Sequence, residues 1–399
     1  MQGAPPAFLS YPFRPFFLLA AAFSMVAILV WVLILRGMGW ESAPTDPLAW
    51  HAHEMLFGFG GAAVAGFLLT AVATWTGRRP IAGFELGLLV ATWLAGRLVM
   101  LLGTDLPGLV VMGGDMLFPA LLATFAAREI IGGGSRRNLG LVGVLLVFAG
   151  LDVAFHLGRI GVWPGATLPA LYLTTHLFLL LITVIGGRII PAFTGNWLRG
   201  RGRQNLPRSI PWVEKLIVPV VILTGIIDTF GAASGMQPRT LSIIVGTFAL
   251  AAALLHMVRL SGWQGLATGA EPLVTILHVA YAWLPIGYLL LSLGDLGLSL
   301  PRSAALHALT MGGVGGMILA VTTRVALGHT GRPLKAGRLT VVAYIVFNIG
   351  VLVRILSPLV PVAYFTFIDV AAAAWLVAFG LFLVGYWRAL VLPRPDRHT

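Results

Sequence analysis

Long apolar stretches separated by short polar segments recur along the whole chain. Each stretch holds about 20 residues, the length that an α-helix needs to cross the roughly 30 Å hydrocarbon core of a bilayer. The pattern predicts an all-α integral membrane protein that forms a single polytopic domain over residues 1–399. The twelve predicted transmembrane spans are 16–36, 51–76, 82–103, 108–128, 138–159, 167–190, 213–234, 239–259, 274–294, 303–327, 339–356 and 364–388.

Composition supports this class and narrows its chemistry. Hydrophobic residues make up 58% of the chain and charged residues 10%, a balance that a soluble domain of this size does not need. Cysteine is absent, which excludes disulfides, thiolate metal ligands and covalent haem attachment. Any haem is therefore expected to be bound without covalent links.

The basic residues indicate an orientation rather than a nucleic-acid partner. The formal net charge is +12, and most of the arginines and lysines lie in loops that follow even-numbered spans. Such loops are typically cytoplasmic, so both termini are expected on the cytoplasmic side. No signal-peptide pattern precedes the first span, so the chain is expected to be mature as written. The expected surroundings are a lipid bilayer, with no nucleic acid bound.

The second, sixth and tenth spans resemble one another. His53 lies 23 residues before the first residue of Thr76-Gly77-Arg78, and His307 lies 23 residues before that of Thr330-Gly331-Arg332. The sixth span repeats the spacing from an arginine to a Thr-Gly pair and carries His176. This periodicity favours three four-helix pseudo-repeats, although Thr-Gly pairs are also common at helix ends.

The predicted orientation sorts the nine histidines by depth. A single histidine in a span is more often a satisfied hydrogen-bonding group than a metal ligand, but several on one side favour a functional site. The outer half holds His51, His53, His156, His176 and His307, the cytoplasmic half holds His256, His278 and His329, and His398 lies in the tail.

The segment Trp50-His-Ala-His-Glu-Met55 opens the second span. Thr45-Asp46-Pro47 predicts a helix N-cap followed by proline at the first helical position. His51 and His53 then point about 200° apart, so they are expected to serve two adjacent centres, or one binds metal while the other supports it. Glu54 is the first candidate for a proton donor, and Asp115 or Asp152 is the next candidate.

Other side chains are candidates through their spacing. Tyr172 lies one turn before His176, where its phenol could stand beside a metal ligand. Asp152 precedes His156 by four residues, a pair that is either structural or fixes a tautomer. Arg97 and Arg188 suit haem propionates, because a guanidinium binds carboxylates in a fork, or they extend to the membrane interface.

Six motifs together resemble the NnrS family of bacterial inner-membrane proteins, over residues 8 to about 385. They are Tyr11-Pro-Phe-Arg-Pro-Phe-Phe17, Trp50-His-Ala-His-Glu-Met55, Phe67-Leu-Leu-Thr-Ala71, Arg188-Ile-Ile-Pro-Ala-Phe-Thr-Gly195, Leu306-His-Ala-Leu-Thr310 and Thr323-Arg-Val-Ala-Leu-Gly-His-Thr-Gly-Arg-Pro-Leu334. The resemblance implies a twelve-span haem- and copper-containing protein linked to nitric oxide tolerance and denitrification. From the matched motifs, the histidines expected to matter most for function are His51, His53, His176, His307 and His329, followed by His278.

The helix arrangement also resembles that of haem-copper oxidases and nitric oxide reductases. It departs from them at the seventh span, 213–234, which carries no paired histidines. Neutral imidazoles without thiolates suit haem iron, copper or non-haem iron, with zinc as a further possibility.

The combined hypothesis is a protein that binds haem b and copper, and reduces NO to N₂O in the outer half of the bundle. His53 and His307 are assigned to haem, His51 and His176 to copper, and His278 and His329 to a second haem or a quinol. The electron donor is a quinol or a small redox protein. One alternative is a non-catalytic protein that binds NO or guards metals; another is a secondary transporter, which would have broken helices at the midplane.

Overall fold

The computed structural model describes residues 5–38, 44, 46–103, 105–233 and 238–395, so His398 and Thr45 lie outside the described part of the chain. The regular secondary structure of the described residues is entirely helical. Twelve long helices are α1 Phe13–Leu35, α2 Pro47–Thr76, α3 Phe84–Leu101, α4 Gly108–Gly132, α5 Leu139–Arg159, α6 Thr167–Arg199, α7 Pro211–Ala233, α8 Arg239–Ser261, α9 Pro272–Leu296, α10 Arg302–His329, α11 Arg338–Leu356 and α12 Tyr364–Val391.

These helices occur where the twelve spans were predicted. Among the described residues, eleven helical segments are long and apolar enough to cross a membrane. The remaining long helix, α7, carries Glu214 and Lys215 near its start and Asp228 in its second half. The crossing of the membrane by α7 stays a prediction.

The start of α2 follows the predicted capping pattern. The Asp46 carboxylate accepts a hydrogen bond of 3.0 Å from the Ala49 N–H, and Pro47 occupies the first helical position. A cap of this kind stabilises a helix by about 1 kcal/mol. The other end stops at Gly77, whose φ of +66° belongs to the left-handed region that glycine adopts without strain.

In the described part of the chain, π-helical turns interrupt three of the long helices. They cover Glu54–Gly60 in α2, Ile182–Gly186 in α6 and Ala308–Gly315 in α10. In α2 and α10 the π-helical turn begins directly after His53 and His307. Such turns are rare and concentrate at functional sites. They occur in the same three helices whose sequences resemble one another, while the three-repeat architecture itself stays a prediction.

The chain divides into two compact units. The first comprises Met1–Thr174, Arg324–Pro333 and Phe382–Thr399, and the second comprises Thr175–Thr323 and Leu334–Leu381. Close packing in the first unit depends on Gly66 of α2, since a Cβ there would lie 2.8 Å from the Phe17 ring of α1. In the second unit, α8 is lined by the fully buried small side chains of Ala249, Ala252 and Ala253. Small residues let transmembrane helices approach closely.

Candidate functional site

The first unit contains a buried group of six polar side chains, which we call the carboxylate–histidine cluster. It draws on four helices, α2 to α5, and each member is at most 7% exposed. Its members are His53, Glu54, Arg97, Asp115, Asp152 and His156. So many ionisable groups inside a membrane helix bundle are costly, which favours a functional role.

The His53 ring uses both of its nitrogens within this cluster. Nδ1 lies 2.9 Å from Glu54 Oε1, while Nε2 lies 2.9 Å from Asp152 Oδ1 and 3.1 Å from Asp115 Oδ2. His156 Nε2 lies 3.0 Å from the same Asp115 oxygen and 3.7 Å from Asp152 Oδ1. The predicted pairing of Asp152 with His156 is therefore part of a larger set in which two carboxylates contact two imidazoles.

Arg97 is the positive partner of the cluster. Its Nη1 donates to Glu54 Oε1 at 2.5 Å, and its other terminal nitrogen forms an ion pair with Asp115. Gly58, inside the π-helical turn of α2, makes room for it, because a Cβ at Gly58 would lie 2.8 Å from Nη1. Trp93 Nε1 donates to the Gly58 carbonyl at 3.0 Å and so fixes this turn against α3.

The charges of the cluster do not balance by themselves. Glu54, Asp115 and Asp152 bring three negative charges and Arg97 brings one positive charge, which leaves two negative charges when both imidazoles are neutral. In a low-dielectric interior such an excess is strongly unfavourable. Two imidazolium ions or one divalent cation would neutralise it.

The ligand geometry fits a single metal ion. His53, Asp115, Asp152 and His156 each offer one ligand atom, and these four atoms lie within 4.8 Å of one another. Two imidazole nitrogens with two carboxylate oxygens suit copper(II), non-haem iron or zinc. Glu54, on the far nitrogen of His53, would hold the ring in place, as a carboxylate behind a metal-bound histidine does.

His51 lies in different surroundings from His53. Its ring stacks on Trp31 of α1, with centroids 4.5 Å apart and planes at 15°. Helical geometry predicts such a divergence of two positions two residues apart. The structure thus brings His53, Glu54 and Arg97 together, and places His51 against α1.

In the second unit, His176 of α6 contacts Asp228 of α7. His176 Nε2 lies 2.9 Å from Asp228 Oδ2, and Asp228 also forms an ion pair with Arg302. Arg302 in turn donates to Asp295 Oδ1 at 3.0 Å. We call these four residues the His176 network. The carboxylate fixes Nε2 as the protonated nitrogen, and Nδ1 is buried without a hydrogen-bond partner among the described residues.

Sequence reasoning missed Asp228. The detectable signal was a lone carboxylate in the apolar half of the predicted span 213–234, which carries no histidine. Its partners come from helices far away in the sequence, so only the folded chain shows that it orients His176.

The remaining predicted site residues lie in varied environments. His307 Nδ1 donates to the Ser303 carbonyl at 2.7 Å, which leaves the lone pair on Nε2. His278 Nε2 donates to Thr194 Oγ1 at 2.8 Å, since that hydroxyl donates its own hydrogen to the Ile190 carbonyl. His329 is exposed beside the Phe13 ring, 5.7 Å between centroids. In α6, Tyr172 is half-buried and Arg188 is exposed.

Fold and site together define a class: a multi-pass helical membrane protein with a buried cluster of imidazoles and carboxylates that can hold a metal ion. The NnrS family model matches residues 7–394, nearly the whole chain, and the chain belongs to this family. No curated protein matches the chain. The family resemblance predicted from the six sequence motifs is therefore confirmed.

Proposed function

We propose that this NnrS protein binds haem b and copper and reduces nitric oxide, 2 NO + 2 H⁺ + 2 e⁻ giving N₂O and H₂O. Membership of the family suggests a membrane protein of the nitric oxide response. The carboxylate–histidine cluster carries the proposal, because it is a buried metal-ligand set in a chain whose family points to NO. The proposed surroundings are the bacterial inner membrane, with cytoplasmic termini and a quinol or a small redox protein as electron donor.

The metal of this cluster is proposed to be copper, held by His53, Asp115, Asp152 and His156. This differs from the assignment of His53 to haem. Both nitrogens of His53 already contact carboxylates, so neither stands ready to be an axial haem ligand. The two carboxylates also supply the negative charge that a divalent ion would balance.

A haem is proposed on the neutral imidazoles of the second unit. His307 has its Nδ1 held by a backbone carbonyl, and His176 has its Nε2 held by Asp228. Each contact fixes one tautomer and directs a lone pair at the other nitrogen, as second-shell partners of metal-bound histidines do. Haem iron, when bound, supplies the redox centre that takes NO. Arg97 is engaged by two carboxylates of the cluster, so exposed Arg188 is the better candidate for a propionate.

The surroundings of the cluster suit an apolar gas and a proton. The His53 ring packs against Phe57 and Phe155, at centroid distances of 4.8 and 4.3 Å. NO partitions into such apolar surroundings without a polar cleft. Glu54 uses Oε1 for His53 and Arg97, while its Oε2 is buried without a hydrogen-bond partner among the described residues. That oxygen is the one that can hold and deliver a proton.

The test is made on detergent-purified protein produced with adequate haem and copper. Iron and copper are counted on the sample whose dithionite-reduced minus oxidised spectrum is recorded, and N₂O is measured after addition of NO and an artificial electron donor. Sharp b-type bands with steady N₂O formation support the proposal. NO-induced spectral changes without N₂O would replace it by a non-catalytic NO-binding role. Absence of both from fully metallated protein would exclude it.

A further inference from the structure

A stripe of polar side chains runs along one face of α9 in the second unit. The stripe consists of four residues that are spaced seven, four and three positions apart: Tyr281, Tyr288, Ser292 and Asp295. On an α-helix these intervals keep all four within about 60° of one direction. The first three residues are fully buried, and the Asp295 side chain is 11% exposed. Polar groups of this kind are rare on a transmembrane helix unless they have a function.

The Pro272 end of the stripe is organised by Arg259 of α8. Its Nε donates to Glu214 at 2.8 Å, and its Nη1 donates both to the Thr183 carbonyl at 2.6 Å and to Tyr281 Oη at 3.0 Å. Thr183 belongs to the π-helical turn of α6. The Glu214 side chain is 33% exposed, so this end of the stripe opens toward the surface.

These contacts determine where the hydrogens lie. Arg259 only donates, so Tyr281 Oη accepts from it and directs its own hydrogen at His256 Nδ1, 2.8 Å away. With Nδ1 as the acceptor, the neutral His256 ring carries its hydrogen on Nε2. That Nε2 is buried without a hydrogen-bond partner among the described residues.

Two further polar atoms continue the same series. Tyr288 Oη and Ser292 Oγ are also buried without partners in the described part of the chain. The His256 and Tyr288 rings are nearly parallel, with planes at 9° and centroids 5.7 Å apart. Buried polar groups in proteins almost always have a partner, and water supplies it where the chain does not. Three such atoms from adjacent positions on α8 and α9 point to a file of water molecules.

The Leu296 end of the stripe is again a charged pair. Arg302 Nη1 donates to both Asp295 carboxylate oxygens, at 3.0 and 3.2 Å. The Arg302 side chain is 26% exposed. The stripe therefore begins and ends in partly exposed ion pairs and is fully buried between them.

We propose that this face of α9 carries protons through the second unit, with water molecules joining His256, Tyr288, Ser292 and Asp295. Each hydroxyl accepts a proton on its oxygen and releases its own. Tyr281 Oη gives its hydrogen to His256 Nδ1 and takes another from a water molecule at the Glu214 end, since Arg259 keeps its protons, and His256 releases the hydrogen on Nε2. Every transfer breaks one O–H or N–H bond as the next forms, so no oxidant or reductant is required. The proposal is independent of the NO chemistry above.

A purely structural role explains the observations less well. Isolated hydrogen bonds would stabilise single helix contacts, as Thr194 does for His278. A structural stripe would then have its atoms paired within the protein. Within the residues that the structure describes, the two ends of the stripe are paired, whereas His256 Nε2, Tyr288 Oη and Ser292 Oγ are not. This pattern is expected where bound water completes the series of hydrogen bonds.

Proton flux tests this directly. The full-length protein is reconstituted into liposomes that contain a pH-sensitive dye, and a pH gradient is imposed with valinomycin and potassium to carry the compensating charge. Neither NO nor an electron donor is present, so a failure here is distinct from a failure of the proposed function. The variants are Tyr288→Phe and Ser292→Ala, and the control is Tyr344→Phe, which removes a buried hydroxyl of the same unit that bonds Thr323 outside the stripe.

The expected result is a faster decay of the gradient with wild-type protein than with empty liposomes. Tyr288→Phe should remove most of the protein-dependent rate and Ser292→Ala a part of it, while Tyr344→Phe keeps the wild-type rate. Circular dichroism and gel filtration establish that each variant is folded. Wild-type vesicles that behave as empty ones, or an unchanged rate in folded Tyr288→Phe, would overturn the proposal.

Discussion

The carboxylate–histidine cluster of the first unit and the His176 network of the second contain the same kinds of side chain, yet they favour different chemistry. In the cluster, both nitrogens of His53 face carboxylates, and three carboxylates oppose one arginine. In the network, His176 meets one carboxylate, which Arg302 also binds. Three carboxylates against one arginine leave two negative charges in the cluster, and two carboxylates against Arg302 leave one in the network, so the cluster is the better candidate for a divalent cation.

The π-helical turns of α2 and α10 are alike in local structure but differ in the partners of their histidines. Each turn begins directly after a histidine, His53 in one and His307 in the other. His53 is fully buried among acids, while half-buried His307 is held by the Ser303 carbonyl of its own helix. The same local pattern thus produces different sites, because neighbouring helices supply the partners.

The largest effect is expected from Asp115→Asn, since Asp115 contacts His53, His156 and Arg97. The asparagine keeps the size of the side chain but removes a ligand oxygen and one of the negative charges that a divalent ion would balance, so the stabilisation given by a bound metal is lost with it. We expect loss of the metal bound by the cluster and a lower thermal unfolding temperature, measured by elemental analysis and by a thermal shift assay. Asp105→Asn, in an exposed loop, is the matched control. Full metal content in both variants would contradict the metal site.

The next largest effect is a difference in metal binding between variants of His51 and His53, the two histidines in the first two turns of α2. His53→Ala should abolish metal binding at the cluster, whereas His51→Ala should retain it, because His51 stacks on Trp31 instead. Iron and copper content and the reduced minus oxidised spectra of the two variants measure this. Identical losses in both would show that one centre uses both residues.

A smaller effect is expected for the His176 network. Asp228→Asn keeps a group of the same shape but weakens the hold on His176 Nε2, and outer-shell changes of this type commonly reduce metal affinity by about 10–100-fold. Titration of the purified apoprotein with haem and with copper measures the change. Unchanged affinity for both would mean that His176 is a structural residue.

The smallest effect concerns the π-helical turn itself. Trp93→Phe removes the indole hydrogen bond to the Gly58 carbonyl, which still accepts from the Gly61 N–H, so the expected cost is that of one hydrogen bond, about 0.5–1.5 kcal/mol. We expect a lower unfolding temperature with the ligands of the cluster still in place. Trp75→Phe on the same unit, where the indole is 43% exposed, serves as the control. Equal stability of the two variants would show that this bond does not fix the turn.

The sequence predicted the helices well and the sites only in part. All twelve spans fall on observed helices, and the Asp46 cap and the divergence of His51 from His53 follow from local rules. Asp115 was predicted only as a second proton carrier, and Asp152 as a proton carrier or as the partner of His156, although together they contribute two of the four groups that could hold a metal ion. The Arg97 environment and the role of Asp228 were not predicted.

The sequence by itself determined what depends on near neighbours in the chain: apolar length, helix starts, the direction of each side chain around its helix, and membership of the NnrS family. Tertiary structure decided which groups from α2 to α5 meet, and so which histidine faces three carboxylates. The reason is physical. Spans of similar hydropathy can be arranged in many ways, and the pairing of charges is fixed only when the helices pack.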